Sequence, residues 1–178
     1  MPLKDFLIRS ATQADCEGIE VLIEEIDAYH RAALPQVFRK PNDPQRTRDF
    51  LSSALSNPDA VIFIAGYQDK IVGLVYAYVR ALPESPIRIP SRVGEVDQIV
   101  VTKECRRNGV GKALMEKVHQ WADEMKLDRL ELSVWDFNQG AWAFYRTLGY
   151  ATTFHRMWKT GPFPNFRKIE LDNHKPPL

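Results

Sequence analysis

One stretch constrains the fold of this chain more than any other. Gly94 to Val101 reads as an apolar strand, and a charged loop follows it. Gly109-Val110-Gly111 then opens a helix that runs from Gly111 to Met125. Leu114, Val118, Trp121, Ala122 and Met125 share one face of that helix. Leu130, Leu132 and Val134 then alternate as a further strand. A strand, a helix that packs back and a second strand make a crossover unit, so the two strands run parallel.

The first half of the chain reads differently. Phe6-Leu7-Ile8 is a short strand. Ser10 or Thr12 turns into a helix reaching about Tyr29, with Cys16, Ile19, Ile23, Ile26 and Tyr29 at helical spacing. A second helix spans Gln45 to Leu55. Ala60 to Gly66 and Ile71 to Val79 are strands joined by Gln68-Asp69-Lys70, which reads as a hairpin. Residues 81–92, with three prolines, read as a loop. Beyond the crossover, a helix opened by Asn138 or Gln139 ends at Leu148-Gly149. Tyr150 to Trp158 and Phe166 to Leu171 read as strands around a turn at Thr160 to Asn165. The expected class is α/β (α+β): a mixed sheet with hairpins in the first half and helices on both faces. A single domain over residues 1–173 accounts for all of this, with 174–178 as a tail.

Composition narrows the function classes. With 24 Lys and Arg against 23 Asp and Glu, the net charge of +1 advertises neither nucleic acid nor an anionic membrane as partner. Cys16 and Cys105 have no metal-type spacing, and no metal site is expected. No run approaches a membrane span, so a cytoplasmic location with reduced thiols is the expectation.

The loop before the long helix is built to hold a phosphate. The first turn of a helix leaves backbone N–H groups without partners at the positive end of its dipole. Gly109 and Gly111 remove side chains where an anion would approach, and Arg106, Arg107 and Lys112 add charge. A dinucleotide fingerprint fails because Leu114 stands where the third glycine belongs. A Walker loop fails because only Val110 separates the glycines and Ala113 follows Lys112.

Arg106, Gly109 and Gly111 form R-x-x-G-x-G, which resembles the pyrophosphate loop of the GNAT superfamily of acyl-CoA N-acyltransferases. Asn138, Ala141, Phe144-Tyr145 and Gly149-Tyr150 are similar to the N-x-x-A-x-x-F-Y-x-x-x-G-F/Y run that follows the cradle in that superfamily. The likeness covers roughly residues 60–160. It implies a mixed, mostly antiparallel seven-stranded sheet with a splayed parallel strand pair. It implies acetyl-CoA as co-substrate, with Arg106, Arg107, Asn108, Gly109, Val110, Gly111 and Lys112 around the pyrophosphate. The pantetheine arm would run along Ile99, Val100 and Val101, and Asn138 would bond the arm or a nearby backbone group. Relatives are often dimers, so a homodimer is among the implied partners.

The implied reaction is attack of a primary amine on a thioester. Such an amine, with a pKa of ~10, must first lose a proton. A strand N–H near Ile99 would serve the oxyanion. Tyr145 matches the family's acid; its bland alternative is a packing aromatic, although Phe144 beside it is available as the core residue. For the base, Asp97 and Glu95 stand two apart on one strand and share a side, with Asp97 at the position where several relatives carry an acid. Ordered water is the alternative to both. Tyr29, His30, Phe38 and Tyr78 are candidates for the acceptor pocket, with surface packing as their alternative. The first helix carries Asp15, Glu17, Glu20, Glu24, Glu25 and Asp27 and no basic residue, which favours a cationic small molecule such as a polyamine or an antibiotic. A protein N-terminus or lysine is the alternative acceptor. A CoA-binding accessory protein without turnover is the alternative function.

Overall fold

The strand signals of the first half resolve into an antiparallel meander. The computed structural model describes residues 5–159. Within them β1 (Leu7–Ser10), β2 (Ala60–Tyr67), β3 (Lys70–Leu82) and β4 (Ser91–Val101) pair in chain order. β5 (Arg129–Leu132) adds to β4 in parallel, as the crossover requires. β2 and β3 meet at a two-residue turn where Gln68 and Asp69 both take positive φ, 47° and 61°, the geometry that matches strand twist.

Helices cover both faces. α1 (Cys16–Ala33) and α2 (Arg46–Ser56) seal one side, where Ile19, Leu22 and Leu51 bury against Ile62, Ile64, Leu74 and Val100. α3 (Val110–Glu124) and α4 (Gln139–Thr147) seal the other, with Leu114, Met115, Val118 and Tyr145 against Val75, Ala77 and Val96. Leu74 and Val75 are both fully buried on opposite faces, as period-two alternation demands of a strand sandwiched between helix layers. No helix among the described residues is long and apolar enough to cross a membrane.

Two irregularities in β4 shape the surroundings of the cradle. Its pairing with β3 jumps from Tyr76↔Gln98 to Ala77↔Val96, which leaves Asp97 as the extra residue of a bulge. The bulge shifts the alternation by one: Val96 and Ile99 pack on the same α3 face, although residues three apart in a regular strand lie on opposite faces. The second irregularity is the short parallel ladder. β5 pairs with β4 only from Val93↔Arg129 to Val96↔Leu132, so residues 97–101 keep one edge without a ladder partner among the described residues.

Several expectations need correction. The sheet has five strands among the described residues, not seven. Tyr150 to Trp158 does not form a strand. Its β-branched and aromatic content fits a pleated surface, but a strand also needs a ladder, and none forms there. Phe166 to Leu171 and the turn before it lie outside the described residues. The proline-containing loop shrinks to 83–90 because β3 and β4 extend their pairing to Leu82↔Ser91. β5 stops at Leu132 rather than Val134, and α1 continues past Tyr29 to Ala33.

The entry to α1 is tied by one carboxylate. Asp15 accepts from Arg9 at 2.8 and 2.6 Å and from the backbone N–H and the hydroxyl of Thr12 at 2.8 and 2.9 Å. These bonds, that of Arg9 first, hold its pKa down at about 2, against an ordinary 3.8. Its stabilisation is therefore complete above pH 3.8 and is lost as pH falls through about 2. Arg9 is itself 46% exposed, so solvent screening reduces what its pair with Asp15 contributes to stability. Asp15→Ala is expected to cost about 1 kcal/mol at pH 7 in urea unfolding, and the gap to the parent should narrow as pH drops below 4.

Candidate active site

The cradle starts from backbone geometry. After Val101 the chain makes a single 3-10 turn at Lys103–Cys105, then Arg107 takes φ +63° and Gly109 φ +86° before α3 begins. Asn108 steadies this bend by donating to the carbonyls of Cys105 and Arg106 at 3.3 and 3.0 Å. The first bond closed around the start of α3 runs from Ala113 N–H to the Gly109 carbonyl at 3.0 Å, so the helix geometry turns the N–H groups of Val110, Gly111 and Lys112 outward. A Cβ built on Gly109 would meet nothing within 4 Å. The space over this bend is open, and glycine is present for its φ.

Gly111 has a different reason from the one read in the sequence. A Cβ there would stand 3.3 Å from Cζ of Phe144, so its missing side chain makes room for α4 rather than for an anion. The charges around the bend are also redistributed. Arg106 is turned away from the cradle: its Nε donates to the Val101 carbonyl at 2.8 Å and its Nη2 to Glu25 of α1 at 2.6 Å. Lys112 faces Glu116 one turn on, at 3.7 Å and largely in solvent. Arg107 has no ion pair among the described residues.

Beside the cradle, Ile99, Val100 and Val101 pair with Val75, Leu74 and Gly73 on one edge only. Their other edge is the one β5 has left. Asn138 caps α4, its Oδ1 accepting from Ala141 N–H at 3.1 Å.

On the α1–α2 side of β4 a cavity of about 590 Å³ opens. The bulge delivers two consecutive residues to it, Asp97 and Gln98. His30, Phe38 and Arg31 line it from α1 and the loop after it, and Asp27 and Arg46 face each other across it as an ion pair. His30 is stacked on Phe38, with ring centroids 5.1 Å apart, and meets the edge of Phe137 at 5.9 Å. Burial pushes its imidazole down, which keeps it neutral. Asp97 reaches the open cavity while its surroundings partly strip it of water, and that desolvation pushes its pKa up.

The structure separates the two candidate bases. Glu95 accepts from Arg80 at 3.0 Å, Arg80 also binds Glu131 at 2.6 Å, and Arg129 completes the group from the far side of Glu131 at 2.7 Å. Glu95 is thus a member of an ion-pair ladder across β3, β4 and β5 and does not line the cavity. Tyr29 packs on Phe137 at 5.7 Å and is absent from the cavity wall, whereas His30 and Phe38 form it. Tyr78 stands 5.7 Å from Tyr76, and burial followed by the nearby Asp97 charge raises its phenol pKa.

Tyr145 is the more deeply buried of the two neighbouring aromatics. Tyr145 is buried, 8% exposed, with its ring edge-on to Tyr150 at 5.6 Å, while Phe144 is half-buried over Gly111. Burial pushes the Tyr145 phenol well above its ordinary value, so it holds its proton throughout the neutral range. His119 shares a hydrogen bond with the Tyr150 hydroxyl at 3.1 Å.

Gln98, Arg31, Arg39, Arg46 and Phe137 were not singled out from the sequence as site residues. For Gln98 a signal existed: Asp97-Gln98 puts two polar residues in a row between Val96 and Ile99, the mark of a bulge in an alternating strand. The others come from loops and helices whose placement no local pattern gives.

Comparison with known proteins adds three findings. The sequence model of the "Acetyltransferase (GNAT) family" matches residues 20–150. The human protein "N-acetyltransferase 8" is 28% identical over 105 residues, 59% of this chain, and the match spans 44% of that protein's length. Among solved structures, a tetramutant of the BH1408 protein from Bacillus halodurans superimposes with a TM-score of 0.81 at 21% identity, covering 86% of this chain and 99% of that one. The aminoglycoside N-acetyltransferase AAC(6')-Iy in complex with CoA gives 0.70 at 18% identity, covering 88% and 95%. At these identities the structures speak for the fold.

The two glycines of the bend can be told apart by coupling. In a double-mutant cycle on unfolding, Gly111→Ala should be more favourable by about 0.5–1 kcal/mol when Phe144 is also changed to Leu, because the ring it crowds is gone. Gly109→Ala should cost about 1–2 kcal/mol through its left-handed backbone and show no coupling to Phe144→Leu.

Proposed function

The chain belongs to the GNAT acetyltransferase family, and on that premise we propose that it transfers the acetyl group of acetyl-CoA to the primary amine of a small molecule. The observation that carries this is the pairing of an open cradle at Gly109 with a cavity on the other side of the same strand, joined by the edge of β4 that β5 leaves after Val96.

The residues present fit the co-substrate. The backbone N–H groups of Val110, Gly111 and Lys112, with the Arg107 guanidinium, would hold the pyrophosphate. The edge of Ile99 to Val101 would pair with the pantetheine amides as an added strand does. Bound there, acetyl-CoA supplies an acyl group activated as a thioester. A backbone N–H of the same edge would donate to the acyl oxygen as negative charge develops on it.

The chain's own groups then manage the protons. The amine arrives as an ammonium, and Asp97 takes its first proton at the carboxylate, directly or through a water. Desolvation has already made that carboxylate a better acceptor than a free one. Tyr145, kept protonated by burial, gives its phenolic proton to the departing sulfur and regains one from the second N–H of the attacking nitrogen. One proton is released per turnover. The reading places the reaction in the cytoplasm, where the free thiols Cys16 and Cys105 stay reduced.

The cavity beside Asp97 and Gln98, about 590 Å³, is of a size for a small-molecule acceptor; a protein N-terminus or lysine is the alternative acceptor. The accessory reading, binding without turnover, predicts affinity for CoA and no amine-dependent thiol release.

Thiol release from acetyl-CoA with a panel of amines tests the proposal, and its absence with every acceptor would sink it. Gly109→Val should weaken acetyl-CoA binding at least tenfold in a titration. Tyr145→Phe should lower kcat by about 10²-fold or more with unchanged cofactor affinity. The acidic limb of kcat/KM against pH belongs to Asp97, which must be ionised to accept a proton. That limb should be shifted upward from the ordinary aspartate value, and Asp97→Asn should abolish it together with most of the activity.

A further inference from the structure

Two orphaned atoms share the wall of the cavity. Nη1 of Arg31 and Oε1 of Gln98 are buried without a hydrogen-bond partner among the described residues, and both residues line the same 590 Å³ space. One is a cationic donor and the other a neutral acceptor. A buried polar group left unmade is costly, so a wall that holds both would gain from a ligand that offers an acceptor to the first and an N–H to the second.

The charges of the wall point the same way. Asp27, Asp43 and Asp97 stand against Arg31, Arg39 and Arg46, so acids and guanidiniums balance. The acidic face of α1, which favoured a polycation in the sequence, is largely spent: Glu24 binds Arg31, Glu25 binds Arg106 and Asp27 binds Arg46. Arg39 carries no ion pair among the described residues. A polyamine would meet guanidiniums with no anion of its own, and a multiply charged phosphate would meet three carboxylates. A molecule with one cation and one anion suits both sides.

Resting on the acetyl-transfer reading, we infer that the acceptor is a zwitterion of the amino-acid type, its amine at Asp97 and Gln98 and its carboxylate at Arg31 and Arg39. Gln98 Oε1 accepts from the amine and orients it, while Asp97 removes the proton. Arg31 offers one guanidinium nitrogen, since its Nη2 is occupied by Glu24 at 2.6 Å, and Arg39 supplies the second cation from the loop after α1. A cavity of this volume holds such a molecule with its side chain against Ile26, Val37 and Phe38.

The test uses the full chain with acetyl-CoA and reads thiol release against the twenty amino acids, the amide of each, and spermidine. The expected result is at least one amino acid whose kcat/KM exceeds that of its amide and of spermidine by tenfold or more. Arg39→Gln, a change at an exposed position, should cut that acid-to-amide ratio by at least fivefold, and Arg31→Gln should do the same. Equal or better turnover of the amides or of spermidine overturns the zwitterion while leaving acetyl transfer standing. A ratio unmoved in both variants overturns the carboxylate site. Thiol release with no acceptor overturns the transfer reading and this one with it.

Discussion

The parting of β5 from β4 is the constraint on which the site depends. The parallel ladder holds from Val93 to Val96 and then ends, because β5 stops at Leu132 while β4 runs on to Val101. At the next residue the bulge at Asp97 shifts the strand by one position. An unpaired backbone edge and a change of side-chain phase therefore fall together in the middle of the sheet. An edge without a ladder partner is a ready template for an added strand. Arg80, Glu95, Glu131 and Arg129 lock the paired half across three strands, which holds the opening where it is.

Around that opening the two faces of the sheet take different tasks. On the α3–α4 side the bend at Arg107 to Gly109 presents backbone N–H groups, and Tyr145 is stripped of water and kept protonated. On the α1–α2 side the cavity is charged and balanced, with an aromatic rim of His30, Phe38 and Phe137. Arg106 links the two by joining the end of β4 to Glu25 of α1. That contact ties the bend after β4 to α1.

The element order was legible because it rests on short-range pattern. Period-two runs gave β2 and β3, a helical stripe gave α3, and Gly149 marked the end of α4 with φ +87°. The count of seven strands failed at Tyr150 to Trp158, where composition suits a strand but no partner pairs with it. In the sequence both glycines have one reason, room for an anion; in the fold the space over Gly109 is open and its φ is left-handed, whereas Gly111 serves Phe144, a ring more than thirty residues away. The pattern that set Asp97 and Glu95 side by side missed the bulge and the ion pairs. Glu95 answers Arg80 and Asp97 opens on the cavity.

By itself the sequence determined the hairpin, the crossover and the bend at Arg106 to Lys112, because each is set by residues within a few positions of one another. The tertiary structure alone decided which charges are spent and which are available. Glu25 meets Arg106, and Asp27 meets Arg46, only after the helices settle on the sheet. An acidic helix in the sequence thereby becomes half of a neutral wall. Charge composition is a property of the chain, but electrostatic pairing falls off within a few ångströms and so belongs to the packed molecule.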